Sequence, residues 1–276
     1  MKRVRVNGVS LGYVDEGRGA PVVFVHGSYS DHRLWEPQRA AVSRAYRFIA
    51  LDQRYFGIGP WPDDGEHYSQ QTQIDDLAAF IRGLDVGPVH LVGWSLSGGL
   101  VLRMVAQRED LVRSVFAYEP ALGLELDPAD AKLVQEDLRT MLAPAIAAAR
   151  AGDHAAAVRN FIDGVDDRPG TFDAMPAAGR TMALENARTL PLQFVASPPP
   201  PLNRAQLGEI GAPVAIVRGA RTRPCYRIVA DAAARCMPGA KRIVVPEARH
   251  LWPVHSPAAF NDLLLDFLGT ANASRD

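Results

Sequence analysis

The chain has 276 residues, of which 47% are apolar, so it can fill one large hydrophobic core or at most two. Its 30 Lys and Arg residues nearly balance 31 Asp and Glu residues, which argues against a nucleic acid or an anionic membrane surface as a partner. Two cysteines, Cys225 and Cys236, are too few for a disulfide framework, and no apolar stretch approaches the ~20 residues of a membrane span. We therefore expect a cytoplasmic protein with no nucleic-acid or membrane partner.

The first strands are predicted from alternating polarity. Residues 4–15 alternate like an antiparallel hairpin that turns near Asn7 and Gly8, and the segment lacks the apolar core of a signal peptide. Six short apolar runs follow, and such runs are typical of strands covered on both faces. They comprise residues 21–25, 48–51, 89–92, 114–118, 214–217 and 243–245.

Helical periodicity lies between these runs. Apolar residues recur every three or four positions over 72–84, 98–107 and 257–268, as in half-buried helices. Strands that alternate with helices predict an α/β fold, here a mostly parallel eight-stranded sheet with helices on both faces.

The alternation stops between residues 121 and 205, where no strand is evident and Ala, Arg and Asp dominate. Residues 133–150 are typical of a helix that Pro144 would kink or break, and four prolines at 198–201 predict a stiff connector. The segment is too long for a simple loop. We therefore expect a helical cap (121–205) inserted after strand six of a core domain formed by 1–120 and 206–276. It would lie over the edge where open α/β sheets bind ligands.

A candidate nucleophile lies where one strand runs directly into Gly93, Trp94 and Ser95, and a helix follows within three residues. A serine on so sharp a turn needs small neighbours, which is the physical basis of the G-x-S-x-G nucleophile elbow. Here Ser97 replaces the second glycine, so Ser97 itself is an alternative nucleophile. We favour Ser95, because Ser97 falls within the first helical turn.

A serine hydroxyl is a weak nucleophile and needs a base. His250 follows the last predicted strand in a short loop, at the same sheet edge as Ser95. We therefore predict that His250 is the base, with His255 as the second choice.

An oxyanion hole requires two N–H donors aimed at the developing negative charge. The backbone N–H of Leu96, directly after the nucleophile, is one predicted donor, and that of Ser28 is the other. Gly27 allows close backbone approach before Ser28, and we expect His26 to brace this loop. The candidate pocket residues are Tyr29 and Trp94, together with Trp35, for which packing in the core is an equal alternative.

Taken in order, His26-Gly27-Ser28, Asp52-Gln53-Arg54, Gly93-Trp94-Ser95 and His250 resemble the α/β-hydrolase superfamily over essentially the whole chain. The resemblance implies the α/β-hydrolase fold with a cap and a serine nucleophile. Serine at position 95 disfavours the dehalogenase and epoxide hydrolase activities, whose enzymes carry aspartate there.

The resemblance also implies an acid about three residues after Gly219, but Thr222 occupies that place. Some relatives carry their acid at the end of the preceding strand, where this chain has Glu119. We therefore predict that Glu119 completes the catalytic triad, with Glu247 as a distant alternative. The competing interpretation is a glutamate that only closes its strand.

No cofactor or metal is expected, because Gly57-x-Gly59 lacks the third glycine of a dinucleotide loop and no metal-ligand spacing occurs. The predicted function is that of a serine hydrolase of the carboxylesterase type, acting on a small, moderately hydrophobic ester or lactone. The alternatives are a C–C bond hydrolase of a β-diketone or ring-cleavage product, and a non-catalytic ligand-binding member of the fold.

Overall fold

A single eight-stranded sheet forms the centre of the structure, a computed structural model that describes residues 1–273. Its strands are β1 (Lys2–Val6), β2 (Val9–Gly17), β3 (Pro21–Val25), β4 (Arg47–Leu51), β5 (Val89–Trp94), β6 (Val112–Tyr118), β7 (Val214–Gly219) and β8 (Lys241–Val245). They lie in the order β1-β2-β4-β3-β5-β6-β7-β8, and β2 is antiparallel to both its neighbours while the remaining pairs are parallel. The predicted mostly parallel eight-stranded sheet is confirmed.

The hairpin turn between β1 and β2 lies where the sequence predicts it. Val6 pairs with Val9, and both residues between them have positive φ, 42° at Asn7 and 81° at Gly8. A two-residue turn of this kind requires positive φ at both positions, which Asn-Gly tolerates best.

Helices connect the strands and cover both faces of the sheet. They are α1 (Glu36–Val42), α2 (Gln70–Leu84), α3 (Leu96–Gln107), α4 (Pro128–Arg150), α5 (His154–Val165), α6 (Thr171–Ala174), α7 (Ala177–Glu185), α8 (Leu190–Val195), α9 (Arg204–Gly208), α10 (Pro224–Cys236), α11 (Trp252–His255) and α12 (Pro257–Ala273). Apolar residues of α2, α3 and α10 pack on one face, and those of α1 and α12 pack on the other. Within residues 1–273, no helix is both long and apolar enough to cross a lipid bilayer.

Helices α4 to α9 lie between β6 and β7, in the segment predicted to form a cap. The cap boundaries of 121 and 205 remain a prediction, and α9 extends across the second of them. Helix α4 begins at Pro128, earlier than expected, because the Asp127 side chain accepts hydrogen bonds from the N–H groups of Ala129 and Asp130.

Of the two predictions for Pro144, the break is wrong, because α4 continues through this residue to its end at Arg150, and the kink stays a prediction. Proline removes one helical hydrogen bond, and tertiary packing can offset that loss. Here α4 packs along α5, and the Asn160 side chain donates a hydrogen bond to the Pro144 carbonyl at 3.2 Å.

Asn186 joins the helices after β6 to the loops that follow β3 and β4. This fully buried residue accepts a hydrogen bond from the Gly57 N–H and donates one to Asp31, both at 2.8 Å. The neighbouring Arg188 donates to the Gly57 and Gly59 carbonyls at 2.8 and 2.6 Å. These bonds join the segment inserted between β6 and β7 to the loops that follow β3 and β4.

Asp31 also binds Arg33 through both carboxylate oxygens, at 2.8 and 2.6 Å, and Arg33 in turn contacts Glu185 at 2.7 Å. Burial raises the pKa of Asp31, but the hydrogen bonds from Arg33 and Asn186 outweigh burial and lower that pKa to about 2. The ionised form of Asp31 therefore stabilises the fold.

We expect Asp31→Asn to lower the free energy of unfolding by about 2 kcal/mol at pH 7. Because the pKa is lower in the folded chain than its ordinary value of 3.8, this stability is complete above pH 4 and is lost as the pH falls towards 2. Urea unfolding of wild type and variant should therefore give curves that converge over this range. Asp262→Asn, at an exposed position of α12, is the control. A difference that stays constant from pH 7 to pH 2 would contradict the assignment.

Candidate active site

Ser95 occupies the sharp turn between β5 and α3, with φ 59° and ψ −121°. This conformation is strained for a residue with a side chain, so surrounding contacts must hold it in place. The Ser95 N–H donates to the Tyr118 carbonyl at 3.0 Å, and its carbonyl accepts from the Ala121 N–H at 2.8 Å. The end of β6 therefore fixes the backbone on which the candidate nucleophile stands.

The small neighbours of Ser95 are required by packing. A Cβ atom at Gly93 would lie 2.6 Å from the Ser97 carbonyl oxygen. Ser97 is fully buried, and its hydroxyl donates to the Val25 carbonyl at 2.6 Å and accepts from the Trp94 N–H at 2.9 Å. This hydroxyl joins β3 to the turn and does not face the cavity, which favours Ser95 over Ser97 as the nucleophile.

Glu119 is the first residue after β6, is fully buried and has φ 42°. One of its carboxylate oxygens accepts the Gly219 N–H at 2.8 Å. The other accepts the Thr222 hydroxyl at 2.8 Å and the His250 ring at Nδ1 at 2.7 Å. The structure therefore brings Glu119 and His250 together, as the sequence predicts. Thr222, which occupies the place where the resemblance implies an acid, contacts the same carboxylate.

The Glu119 contact fixes the tautomer of His250. Because Nδ1 donates to the carboxylate, Nε2 is the nitrogen left to accept a proton. Ser95 and His250 both line the same cavity, but no hydrogen bond of ordinary geometry joins their side chains within residues 1–273. In sites without substrate this contact is often long and tightens only when substrate binds.

The loop around His250 has three further supports that the sequence did not reveal. The Tyr118 hydroxyl donates to the Arg249 carbonyl at 2.6 Å, and the Leu251 N–H donates to the buried Asp166 carboxylate at 3.0 Å. The ring of Tyr226 stacks on the imidazole of His250, with centroids 4.0 Å apart and planes 12° apart. No sequence motif connects these residues, because 24 to 132 positions separate them from His250.

Burial raises the pKa of the Tyr226 phenol well above its ordinary value, while hydrogen bonding with Ser95 and the charge of Arg223 act in the opposite direction. Tyr226 is therefore protonated at neutral pH, and it is near both Ser95 and His250.

The alternative residues are exposed, whereas Glu119 and His250 are buried. His255 also lines the cavity but is exposed at the end of α11, and Glu247 is exposed and forms an ion pair with Arg221 at the surface. His26 is fully buried, accepts the Gln53 N–H at Nε2 and contacts the Gly27 carbonyl through Nδ1. The structure therefore confirms the predicted brace at His26.

The candidate oxyanion donors flank Ser95. Leu96 is the first residue of α3, so its N–H has no acceptor within the helix. Ser28 lines the cavity, and a Cβ atom on the preceding Gly27 would lie 3.1 Å from the Trp94 carbonyl and 3.7 Å from the Ser95 Cβ. This loop therefore passes close to the turn, as an oxyanion hole requires.

The cavity at the site has a volume of about 700 Å³ and a mostly apolar wall. Phe161, Ile162, Val165, Met175, Met182, Ala183, Leu251 and Val254 form much of that wall. Tyr29 and Trp94 line the cavity as predicted, and neither the Tyr29 hydroxyl nor the Trp94 Nε1 has a hydrogen-bond partner among residues 1–273. Trp35 is fully buried against Phe24 and Phe260, so its role is packing.

Asp31, His32 and Asp52 form one group in the described part of the chain whose ligand atoms, all within 4.8 Å of one another, could hold a metal ion. Arg33 and Asn186 already occupy the Asp31 carboxylate, and the His32 ring contacts Asp52 at 2.7 Å. The group therefore acts as a polar support for the loop after β3.

A sequence model of the Alpha/beta hydrolase family matches residues 22–263. The chain is 28% identical to 2-(acetamidomethylene)succinate hydrolase from Mesorhizobium japonicum, over 97% of this chain and 94% of the relative. The structure is similar to bromoperoxidase from Bacillus anthracis, with a TM-score of 0.76 and 25% identity over 97% of this chain and 99% of that one. It is also similar to the enol-lactonase from Burkholderia xenovorans, with a TM-score of 0.72 and 19% identity over 97% and 100% of the two chains, which shows a common fold.

If Glu119 supports His250 in catalysis, Glu119→Gln should lower kcat by roughly 10²- to 10⁴-fold with little change in KM. A glutamine amide cannot accept hydrogen bonds from three donors, and it carries no negative charge to stabilise an imidazolium ion. Thermal unfolding followed by circular dichroism would establish that the variant is folded. Glu247→Gln, at the exposed alternative position, should keep wild-type kinetics. Near-normal turnover by Glu119→Gln would rule out the assignment.

Proposed function

This chain belongs to the alpha/beta hydrolase family, and on that premise we propose that it is a serine hydrolase of a small, moderately hydrophobic ester or lactone. The observation that carries the proposal is the 2.7 Å contact between the Glu119 carboxylate and His250 Nδ1. His250 and Ser95 line the same cavity. A nucleophile, a base and an acid that orients the base are the groups that acyl transfer requires.

In the proposed mechanism, Ser95 Oγ attacks the substrate carbonyl while His250 Nε2 accepts the hydroxyl proton. The N–H groups of Ser28 and Leu96 stabilise the oxyanion of the tetrahedral intermediate. Glu119 stabilises the imidazolium that forms. When the C–O bond to the leaving alcohol breaks, His250 returns the proton to that alcohol, and the acyl group remains on Ser95. Water, deprotonated by His250, then attacks the acyl-enzyme; the bond between the acyl carbon and Ser95 Oγ breaks, His250 returns the proton to Ser95 Oγ, and the acid is released.

The mostly apolar lining of the cavity favours an uncharged substrate. The charge of Arg33 at the cavity is offset by ion pairs with Asp31 and Glu185. Burying an unpaired carboxylate against such a wall would be costly. The relative from Mesorhizobium japonicum is named for a succinate derivative, whereas this cavity favours a neutral ester or lactone.

We expect a fluorophosphonate to form one covalent adduct, and peptide mapping after intact-mass measurement to place it on Ser95. Ser95→Ala should abolish the adduct and the hydrolysis of esters, because no other hydroxyl stands on the turn beside His250. Ser97→Ala is the matched control: it should still label at Ser95, although the loss of two buried hydrogen bonds lowers its stability by about 1–3 kcal/mol. An adduct on Ser97 would overturn the assignment, and a folded protein without any adduct would favour the non-catalytic ligand-binding alternative.

Neutral p-nitrophenyl butyrate should be hydrolysed with a kcat/KM at least about tenfold above that of mono-p-nitrophenyl succinate, since the anionic acyl group loses its hydration in the cavity. Glu185→Gln removes one partner of Arg33 and should narrow this ratio without altering turnover of the neutral ester. A preference of the wild type for the anionic ester would contradict the substrate class. Faster cleavage of a β-diketone than of any ester or lactone would favour the C–C bond hydrolase alternative.

A further inference from the structure

We propose that Tyr226 is a positioning residue for His250, whose ring sets the plane of the imidazole and stabilises its protonated form during acyl transfer. The proposal rests on the proposed function of Ser95, His250 and Glu119. It concerns a contact with the base that is separate from the carboxylate.

The contact between the two rings is face to face. Their centroids are 4.0 Å apart and their planes differ by 12°, whereas the Trp94 ring lies 5.7 Å from that of His250 at an angle of 52°. Both Tyr226 and His250 are buried. The imidazole is therefore restrained at one edge by Glu119 and across one face by Tyr226.

The first turn of α10 holds Tyr226 in place. Asp137 of α4 accepts the Arg223 guanidinium at 2.6 Å and the Cys225 N–H at 3.0 Å, directly before Tyr226 in the chain. Pro224 at the start of the helix further restricts the backbone. At the far end of the side chain, the Tyr226 hydroxyl lies 3.8 Å from the Met141 sulfur. These contacts hold the Tyr226 side chain both at its backbone and at its hydroxyl, independently of His250.

Two physical effects follow from this arrangement. A hydrogen bond at Nδ1 restrains one edge of the imidazole and leaves its tilt free, and a flat contact on the ring face removes that freedom. Small displacements of a catalytic group are costly for the rate. In addition, the negative face of an aromatic ring attracts a cation, so Tyr226 favours the imidazolium present in the transition state over the neutral ring of the resting site.

The effect should fall on kcat, because Tyr226 does not belong to the residues that line the substrate cavity. We expect Tyr226→Leu to lower kcat by roughly 2- to 30-fold, with KM within about twofold of wild type. Tyr226→Phe keeps the ring face and should restore kcat to within about twofold. Tyr46→Leu is the control for the loss of a buried aromatic ring. Tyr46 directly precedes the first residue of β4, and its replacement should leave kcat unchanged.

Nuclear magnetic resonance of histidine-labelled protein tests the same contact without measuring activity. The ring protons of His250 lie over the Tyr226 face and should resonate upfield in wild type and Tyr226→Phe. In Tyr226→Leu they should move downfield, and the Nδ1 proton bonded to Glu119 should broaden through faster exchange. If Ser95→Ala retains full hydrolysis, the proposed function fails while these spectra still decide the ring contact.

Two results would overturn the proposal. The first is wild-type kcat in folded Tyr226→Leu with unshifted ring protons. The second is a Tyr226→Phe variant as impaired as Tyr226→Leu, which would assign the effect to the hydroxyl near Ser95 instead of the ring.

Discussion

The buried carboxylate of Glu119 is the constraint on which the rest of the site depends. A fully buried carboxylate is stable only when its oxygens are hydrogen-bonded. Here the donors are the Gly219 N–H, the Thr222 hydroxyl and His250 Nδ1, so the loops after β6, β7 and β8 meet at one point. The carboxylate thus fixes the relative positions of these loops, and the same contact orients the proposed base towards Ser95.

The segment that contains α4 to α9 is connected to the Glu119 carboxylate at both of its ends. The chain leaves the sheet directly after Glu119 and returns to it in β7, whose last residue donates to the same carboxylate. In between, α5 is followed by Asp166, which binds the Leu251 N–H, and α4 carries Asp137, which holds the first turn of α10. Movement of these helices would therefore disturb the loop that carries His250 as well as the cavity wall.

Differences in substrate among similar folds have a physical explanation in this arrangement. The strands and the turn at Ser95 hold the proposed catalytic groups, and the fold alone does not determine the substrate. Much of the cavity wall comes from the segment inserted between β6 and β7, including Phe161, Met175 and Met182. The apolar wall and the ion pairs of Arg33 with Asp31 and Glu185 are the features on which the proposed preference for a neutral substrate rests.

Local interactions explain what the sequence determined by itself: the buried strands, the Asn7-Gly8 turn and the strand–turn–helix at Ser95 depend on residues a few positions apart. The proximity of Glu119 to His250 was predicted only through a resemblance, because 131 residues separate the two in the chain. The tertiary structure alone decided that α4 runs through Pro144, that the Thr222 hydroxyl supports the carboxylate and that Tyr226 stacks on His250. These features arise from packing between segments distant in sequence, and neither periodicity nor spacing along the chain encodes them.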